Sequence, residues 1–424
     1  MSRDPATGEA PFRDLQKSSQ TITLVGAGLT GPLLAISLAQ RGFPVQIFER
    51  RPDMRRTRAS TGRSINLAVS TRGIHALRGA ALWDLMSRII IPMKGRMMHS
   101  LSGELTFQQY GKDDTEVINS ISRADLNVAL MNAAEAEGVT IHFNERCTGM
   151  DWNTGAARFR NEESGRETTV ASEIAIGTDG SASALRQDMQ KHGSLNCSQE
   201  VLDYGYKELT IAAGSGGKHV LEPHALHIWP RGAYMLIALP NIDGTFACIL
   251  FLPREGPESF ATLDTGKKAL RFFQERFADA VPLMPQLQEN YVANPVGSMV
   301  TVRCAPWHLD GKVLLLGDAA HAIVPFFGQG MNCAFEERYF SSCSINTAQT
   351  GRSSSRNSSA LASTIRTRSR TWLWKTSSKC AIASRIPASS SGRKSNWRCK
   401  PNIRAASCQN TPWLLSIASR TLSR

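Results

Sequence analysis

The apolar positions of this chain alternate between short continuous runs and stretches with helical spacing. The run from Ile22 to Val25 predicts a buried strand, and Val45 to Phe48 predicts a second one. Between them, apolar residues recur with a helical period until Gly42, at positions Leu33, Leu34, Ile36, Leu38 and Ala39. A strand, a helix and a strand in this order predict a parallel α/β unit.

A different pattern fills residues 225–239, "ALHIWPRGAYMLIAL", where apolar and polar positions alternate. A period of two is typical of a strand in a sheet whose two faces meet different surroundings. We therefore expect His227 and Trp229, which lie in this stretch, to serve packing rather than catalysis.

These patterns stop near Glu337. The tail, residues 338–424, contains 16 basic residues, 21 serines and no acidic residue, and it has no apolar period. The whole chain carries 49 Lys and Arg against 36 Asp and Glu, a formal net charge of +13. Without the tail, 33 basic and 36 acidic residues remain. The basic character that would suggest nucleic acid or an anionic membrane therefore belongs to the tail alone.

The body of 337 residues is long enough for two domains. Residues 1–20 are polar and lack the apolar segment of a signal peptide, and no apolar run is long enough to span a membrane. Five cysteines lie in the body and four in the tail, without metal-site spacing. We therefore expect a cytoplasmic protein with free thiols, no transmembrane segment and no metal.

The turn after the first predicted strand carries the motif Gly26-x-Gly28-x-x-Gly31. It opens a helix and precedes an acid, Glu49, at the end of the second strand, as a dinucleotide-binding motif requires. The glycines would give a tight turn and backbone access for a pyrophosphate at the helix N-terminus, and Glu49 would accept ribose hydroxyls. Pro32 fits only within the first helical turn. The alternative is a glycine-rich turn without a ligand.

Two later strand ends indicate which dinucleotide is bound. "IAIGTDGSASALRQ" leads into Asp179, and "GKVLLLGDAAHAIVPFFGQGMNCAFE" leads into Asp318 and then into Gly328 and Gly330. A carboxylate at the carboxyl end of a strand, such as that of Asp318, can hold a polyhydroxyl chain such as ribityl. The glycine turn offers backbone N–H groups to an electron-rich ring edge at another helix N-terminus. Together the motifs point to FAD.

The order of these motifs resembles that of the single-component FAD-dependent aromatic hydroxylases of the para-hydroxybenzoate hydroxylase type. Longer strings are similar to the members of that family that hydroxylate kynurenine, namely "ERRPD", "GRSINLA", "GRMMHS", "YGKDD", "INSISRADLN", "YGYKEL", "ALHIWPRG" and "VPFFGQGMN". The similarity runs from about residue 22 to residue 336. It implies bound FAD, NADPH and O₂ as co-substrates, and conversion of L-kynurenine to 3-hydroxykynurenine in tryptophan degradation towards quinolinate and NAD.

The resemblance also implies which residues bind the substrate. Arg96 and Tyr110 would hold its carboxylate, which suits a bidentate guanidinium and a neutral phenol donor. Pro325, Phe326 and Phe327 would form a wall against its aromatic ring. Many relatives have His where this chain has Phe327.

Further residues would contact the cofactor. Arg123 resembles the arginine that lies against the flavin. The full expected cofactor set is Gly26, Gly28, Gly31, Glu49, Arg50, Arg123, Asp179, Gly317, Asp318, Gly328, Gly330, Met331 and Asn332. We expect no catalytic side chain, because the flavin carries the chemistry while the protein positions the substrate and excludes water.

The motif order predicts an α/β fold with two main domains. A Rossmann-like FAD-binding domain with a parallel sheet would combine residues 21–82, 111–188 and 296–337. A mostly antiparallel β substrate domain would combine residues 83–110 and 189–295, after a polar extension at 1–20.

In the family, a helical C-terminal part closes the pocket with an Asn and a Tyr. Reading "TWLWKTSSKCA" and "QNTPWLLS" one base earlier permits M-A-[MLV]-E-[ND] and [YH]-[ASPT]-[MLV]-[VA], which resemble the two missing motifs in the right order. We therefore interpret residues 338–424 as the product of a single-base frameshift close to Glu337. Such a chain would bind FAD but be impaired or uncoupled.

Three alternatives stay open. The chain could be another FAD-dependent hydroxylase, for phenols or salicylate. Such an enzyme should lack the pair Arg96 and Tyr110 that is expected to bind the substrate carboxylate. The chain could instead be an inactive FAD-binding pseudogene product. A nucleic-acid-binding protein with a disordered basic tail would rest on residues 338–424 alone.

Overall fold

The computed structural model describes residues 21–56, 65–113, 115–172, 174–193 and 195–337. The expected N-terminal extension and the tail at 338–424, with the frameshift inferred for it, lie outside these residues. The described part has a mixed α/β fold that contains four β-sheets.

The strands, in chain order, are β1 (Ile22–Val25), β2 (Val45–Phe48), β3 (Asn66–Val69), β4 (Ile91–Met93), β5 (Gly95–His99), β6 (Leu105–Gln109), β7 (Ile118–Ser122), β8 (Thr140–His142), β9 (Glu145–Asp151), β10 (Ala156–Asn161), β11 (Glu167–Val170), β12 (Ile174–Gly177), β13 (Asn196–Ile211), β14 (Ala225–Arg231), β15 (Tyr234–Pro240), β16 (Phe246–Pro253), β17 (Gly297–Ala305), β18 (His308–Leu309) and β19 (Val313–Leu315).

The α-helices are α1 (Thr30–Ala39), α2 (Thr71–Arg78), α3 (Trp83–Met86), α4 (Arg123–Ala136), α5 (Ala184–Lys191), α6 (Gly266–Arg276), α7 (Leu287–Ala293) and α8 (Asp318–His321). Residues 330–337 are also helical and are called the C-terminal helix below. Short 3₁₀ turns cover Ser87–Ile89, Ser215–Gly217, Val281–Leu283 and Pro325–Phe327.

A six-stranded sheet in the order β18-β19-β12-β1-β2-β8 confirms the predicted Rossmann-like parallel unit. The strands from β19 to β8 are parallel, and β18 is antiparallel at the edge. Helix α1 is buried on all sides from Gly31 to Leu38 and packs in the main core with β1, β2 and α4. The continuous apolar runs are explained by burial of these strands on both faces.

The register of this sheet brings the ends of four strands to one edge. Val25 is paired with Phe48 and with Gly177, and Gly177 is paired with Leu315. The residues that follow these four strands therefore lie side by side. They are the Gly26 turn, Glu49, the Thr178-Asp179 pair and the turn at Gly317.

A seven-stranded sheet in the order β17-β13-β16-β15-β14-β5-β6 forms the second layer. All its pairs are antiparallel except β14 with β5. Helices α6 and α7 cover one face, where Trp229, Leu250 and Phe273 are wholly buried. The other face carries Ile249 and Phe251 and is called the site face below.

Strand β13 pairs with two different strands along its length. Residues 196–201 pair with β17 alone, whereas residues 204–211 pair with β16. The register with β17 shifts between Val201 and Gly205. Such an irregularity lets a strand change direction without altering the pairs on either side of it.

Two three-stranded sheets, β11-β10-β9 and β3-β7-β4, complete the fold. The small sheet β3-β7-β4 is joined to the large one because the side chains of Asn66 and Ser120 both donate to the carbonyl of Pro240, at 2.9 Å. Strand β4, from the segment assigned to the substrate domain, pairs with β7. The proposed division into domains stays a prediction.

The cysteines differ from the expectation of free thiols. Cys197 and Cys304 are paired residues on β13 and β17, and their sulfur atoms form a disulfide. Within the described ranges, Cys147, Cys248 and Cys333 are buried free thiols. The longest helix that the structure describes, α4, has 14 residues, and none of the described helices combines the length and apolar composition needed to cross a bilayer.

Candidate functional site

The three motif glycines after β1 differ in what surrounds them. Gly26 has φ +104°, and a Cβ on it would lie 2.8 Å from the carbonyl oxygen of Thr178. A Cβ on Gly31 would lie 2.1 Å from the carbonyl oxygen of Gly26, so α1 could not approach β1 as closely. A Cβ on Gly28 would meet nothing within 4 Å. Gly28 therefore faces open space at the N-terminus of α1, where a phosphate group is favoured.

Glu49 connects the end of β2 to this turn. It is 5% exposed, and its Oε2 accepts a hydrogen bond from the backbone N–H of Ala27 at 2.8 Å. Its Oε1 accepts from Nε of Arg51 at 2.7 Å. Arg50, which was also expected at the cofactor, is exposed. Pro32 lies in the first turn of α1, where the missing N–H is tolerated.

Asp179 brings a partly unpaired carboxylate to the same edge. Its Oδ2 accepts from the backbone N–H of Ala184 at 2.7 Å, whereas Oδ1 is buried without a hydrogen-bond partner. Burial raises the pKa of this carboxyl group. A buried acceptor without a partner is unfavourable unless a ligand supplies a donor. Arg186 of α5 is buried nearby and donates to the carbonyl of Ala319 at 3.0 Å, which joins this turn to α8.

Asp318 begins α8 beside Gly330 of the next turn. Burial by the surrounding protein raises the pKa of Asp318, with His321 and Arg123 acting in the opposite direction, yet the residue keeps solvent-accessible surface. It therefore lies on the wall of a cleft. A Cβ on Gly330 would lie 3.7 Å from Oδ1 of Asp318, which is ordinary van der Waals contact, so Gly330 is a neighbour of this carboxylate.

The turn between α8 and the C-terminal helix is fixed by Asn332. Its Oδ1 accepts from the backbone N–H of Ser70 at 2.9 Å, and its Nδ2 donates to the carbonyls of Ala68 and Gly328 at 2.8 and 3.0 Å. Gly328 has φ +60°, and Met331 is buried. The described bonds of the Asn332 side chain thus hold protein backbone, and a contact of Asn332 with the cofactor stays a prediction.

Arg123 stands between the two layers. It is the first residue of α4, exposed at its side chain, with Ser122 as the N-cap. Its positive charge lowers the pKa values of Asp318, Tyr206 and Glu208, against the raising effect of burial on each. Asp318 follows the last strand of the parallel sheet, whereas Tyr206 and Glu208 lie on the site face. Arg123 is thus placed between the end of the parallel sheet and the site face.

A cavity of about 520 Å³ lies beside Arg123, between the small sheet and β13. Its lining includes the acids Asp125, Glu208 and Asp243 and contains neither Lys nor Arg. The walls therefore favour neutral or cationic groups over phosphates.

The structure brings Arg96 and Tyr110 together, as expected. The guanidinium carbon of Arg96 lies 4.8 Å from the centre of the Tyr110 ring. Burial raises the pKa of Tyr110 to about 12, although Arg96 acts to lower it. The phenol is therefore a neutral donor across the physiological range.

The strand register places this pair on the site face. Residues paired across neighbouring strands point to the same side of a sheet. Starting from Arg96, the pairings and the two-residue alternation place on this face Leu226, Ile228, Ile237, Ile249, Phe251, Tyr206 and Glu208. Arg96 therefore shares a surface with an aromatic and aliphatic wall.

Phe326 packs against this wall from the opposite side. Its ring lies 5.2 Å from that of Phe251, tilted by 48°. Pro325, which is exposed, and Phe327 share its 3₁₀ turn. The Phe327 side chain lies outside the described part. An aromatic wall with a cationic group on the same sheet face suits a planar substrate that bears a carboxylate.

Sequence reasoning missed Glu208, Tyr206 and Glu337. The string "YGYKEL" has a period of two, so its two tyrosines and Glu208 could have been assigned to one face of a strand. Glu337 gave no such signal, because its partners lie up to 20 residues away, across a turn.

The residues present fit FAD. Open space at Gly28 suits a pyrophosphate, the buried Oδ1 of Asp179 needs a donor, and the cleft at Asp318 suits a hydroxyl-bearing chain.

Comparisons with known proteins agree with this geometry. The family model described as "FAD binding domain" matches residues 19–357. The kynurenine 3-monooxygenase of Myxococcus xanthus (strain DK1622) is 56% identical over 318 residues, which cover 75% of this chain and 68% of that protein. The kynurenine 3-monooxygenase of Xanthomonas axonopodis pv. citri (strain 306) is 50% identical over 320 residues, 76% of this chain and 70% of that protein.

Solved structures show the same fold at low sequence identity. A tetrameric form of 2-methyl-3-hydroxypyridine-5-carboxylic acid oxygenase has a TM-score of 0.67 at 20% identity, over 86% of this chain and 90% of that one. PqsL of Pseudomonas aeruginosa, in complex with 2-aminobenzoylacetate, has a TM-score of 0.64 at 19% identity, over 86% and 94%. The chain therefore belongs to the FAD binding domain family, and its curated relatives place it among the flavin monooxygenases similar to the bacterial kynurenine 3-monooxygenases.

Proposed function

We propose that this protein is an FAD-dependent monooxygenase that hydroxylates L-kynurenine to 3-hydroxykynurenine with NADPH and O₂. The observation that carries the proposal is the pair Arg96 and Tyr110 on the same sheet face as Phe251, opposite Phe326. Kynurenine combines an amino-substituted aromatic ring with an amino acid group, and the site offers a matching surface for each. The high identity to curated kynurenine 3-monooxygenases supports this choice over other ring substrates.

FAD would supply the redox and oxygen chemistry, and the side chains would position the reactants. Arg96 would bind the substrate carboxylate with two parallel hydrogen bonds, and Tyr110 would donate a third. Phe251 and Phe326 would hold the ring in one plane and keep water away from it. Glu49, Asp179 and Asp318 would bind hydroxyl or amide donors of the cofactor, while the Gly28 turn would bind its phosphates.

The first experiment measures formation of the hydroxylated product rather than NADPH consumption alone. Purified protein loaded with FAD is incubated with NADPH and L-kynurenine, and 3-hydroxykynurenine is quantified by liquid chromatography. Phenol and salicylate are tested in parallel. Hydroxylated product from kynurenine alone supports the proposal, whereas product from phenol or salicylate alone would favour the rival hydroxylase class.

The substitution Arg96→Met tests directly whether Arg96 binds the substrate carboxylate. Loss of a charge-assisted bidentate contact is expected to raise KM for L-kynurenine by about 30-fold or more, equivalent to about 2 kcal/mol. Kynuramine, which lacks the carboxylate, serves as the matched control substrate. Its KM should be similar for both proteins, and an equal loss with both substrates would contradict the assigned role.

We further propose that this chain is uncoupled because its tail is read in the wrong frame. Residues 338–424, as written, lack the Asn and Tyr motifs that the family uses to close the pocket. Sequencing the gene across codons 334–342 tests for the missing or added base. Restoring the frame there is expected to raise the ratio of product to NADPH consumed, and an unchanged ratio in the restored protein would oppose this explanation.

A further inference from the structure

Glu337 contacts both ends of α8 with one carboxylate. It is 1% exposed, and its Oε2 accepts from the backbone N–H of Gly317, immediately before α8, at 2.8 Å. Its Oε1 is hydrogen-bonded to Nε2 of His321, the last residue of α8. Asp318, the acid expected at the ribityl chain, is the first residue of the same short helix. The carboxylate thus spans the element that carries the cofactor-facing acid.

Gly317 has a backbone conformation that favours glycine, and its buried N–H needs a hydrogen-bond partner. Its φ of +58° and ψ of −141° lie outside the region open to residues with a Cβ. A Cβ would also lie 3.1 Å from Oγ1 of Thr30 and 3.2 Å from Cβ of Ala334. The N–H points at the buried carboxylate of Glu337, and an unsatisfied donor there would be unfavourable. The Glu337 carboxylate satisfies it and so favours this turn.

The bond between Glu337 and His321 adds a charge to the arrangement. Burial lowers the pKa of His321, but the Glu337 carboxylate, together with Cys333 and Asp318, outweighs burial, and the net effect raises that pKa to about 9. The imidazole ring also packs on Trp307, with 4.8 Å between ring centroids. The charged or titratable groups around it are Glu337 and Cys333 on the C-terminal helix, Asp318 on α8, Arg123 on α4 and Arg186 on α5.

We propose that Glu337 is a positioning residue for the cofactor, which acts with His321 to hold Gly317 and Asp318 in the geometry that binds FAD. The inference goes beyond the proposed substrate chemistry and rests only on FAD binding. It assigns a role at the cofactor to a residue that need not touch it. It also predicts that FAD affinity depends on the protonation of one ion pair.

The test uses the full-length protein stripped of FAD and titrated with FAD from about pH 6 to about pH 10, with flavin fluorescence as the readout. The wild-type Kd is expected to stay constant up to about pH 8 and to rise as His321 loses its proton near pH 9. Glu337→Gln keeps an oxygen for the Gly317 N–H but presents an NH₂ group to His321. Without the carboxylate that raises its pKa, buried His321 is expected to be neutral and to bond to that group, so the affinity of the variant should vary little with pH.

The wild-type affinity is therefore expected to fall near pH 9, whereas that of Glu337→Gln should stay nearly constant. At about pH 6, where His321 is charged only in the wild type, Glu337→Gln should bind FAD about tenfold more weakly than the wild type. Above about pH 9 the difference should shrink. A general loss of stability would weaken binding without removing the fall near pH 9, which separates positioning from a merely structural effect.

Glu336→Gln is the matched control. This neighbouring carboxylate is half-buried and binds Arg72 of α2 at 2.8 Å, away from Gly317. Glu336→Gln should leave the pH dependence of FAD affinity unchanged. If Glu337→Gln does not fold, His321→Gln provides the second variant. It keeps the Gly317 bond to Glu337 and should remove the loss of affinity near pH 9.

A wild-type pH profile in both Glu337→Gln and His321→Gln would overturn the inference. Failure of the wild-type protein to bind FAD at any pH would overturn it together with the cofactor assignment. Normal FAD binding with the expected slopes, but no hydroxylation of kynurenine, would support the inference and count only against the proposed substrate.

Discussion

At the scale of single residues, the GxGxxG motif contains two different kinds of glycine. Gly31 is required by the protein itself, since a Cβ would lie 2.1 Å from the Gly26 carbonyl oxygen. Gly28 has open space around it and is required only by a ligand that fills that space. The motif predicts three glycines, but only the three-dimensional arrangement separates packing from binding.

This difference predicts opposite results for two alanine substitutions. Gly31→Ala should lower the free energy of unfolding of the FAD-free protein by about 3 kcal/mol, because the backbone cannot move away from the new Cβ. Gly28→Ala should change it by less than about 0.5 kcal/mol while weakening FAD binding about tenfold or more. Denaturant unfolding and FAD titration of both variants provide the check. Equal destabilisation by the two would contradict the distinction.

Some site residues could be read from the sequence and others could not. Arg96 and Tyr110 were identified through resemblance, and the strand register gives the physical reason why they share a face with Phe251. Glu337 was not identified because its partners, Gly317 and His321, depend on how the C-terminal helix packs against α8. Local patterns of polarity carry no information about such a contact.

At the scale of elements, the buried side chains of His99, His227 and Trp229 and the more exposed Asp279 join β5 and β14 to the segment after α6. Asp279 accepts from Nε1 of Trp229 at 2.7 Å and lies 2.9 Å from Nδ1 of His99. Nε2 of His99 lies 2.9 Å from Nδ1 of His227, whose Nε2 lies 2.9 Å from the carbonyl oxygen of Glu222. This is the structural role expected for His227 and Trp229, although their partners could not be named from the alternating pattern.

His227 should make folding sensitive to acid. Burial lowers its pKa to about 4, whereas an unfolded histidine titrates near 6.5. Between these values the unfolded chain binds a proton that the folded protein does not, so stability should fall as pH falls from about 6.5 to about 4. The expected loss is about 3 kcal/mol, measured by denaturant unfolding at several pH values.

His227→Gln isolates this contribution. Glutamine can donate to the Glu222 carbonyl and accept from His99 but does not titrate. The difference in unfolding free energy between His227→Gln and the wild type should change between about pH 6.5 and about pH 4. His75→Gln, at an exposed position on α2, is the control and should show a nearly constant difference. A constant difference for His227→Gln would show that His227 is not held neutral.

At the scale of the whole molecule, the cofactor layer was the most predictable part. Continuous apolar runs identified four of its strands, because parallel strands are buried on both faces. The order of the seven-stranded sheet was not predictable, since it requires β5 and β14, which are more than 100 residues apart, to pair in parallel. Pairing over such a distance is set by tertiary packing, which local propensity does not encode.

The tail at 338–424 carries the positive net charge of the protein but is not expected to be needed for FAD binding. Deleting residues 338–424 changes the formal net charge from +13 to about −3. The shortened protein should lose salt-sensitive retention on a DNA column at neutral pH but still bind FAD. A tail with the same composition in scrambled order should restore retention. Retention that depends on the tail's sequence would instead favour the nucleic-acid-binding alternative.

The register shift in β13 has a consequence for the way this gene can tolerate changes in length. Residues 204–211 are paired with β16, and their alternation decides which side chains lie on the site face and which face α6 and α7. One codon inserted at 206–210 would exchange the two sets for part of the strand, moving a carboxylate towards the apolar core. The same insertion at 202–203 would fall within the irregular segment, which already absorbs unpaired residues. A scan of single-codon insertions scored by soluble, FAD-bound protein should therefore show a short permissive window directly followed by an intolerant one.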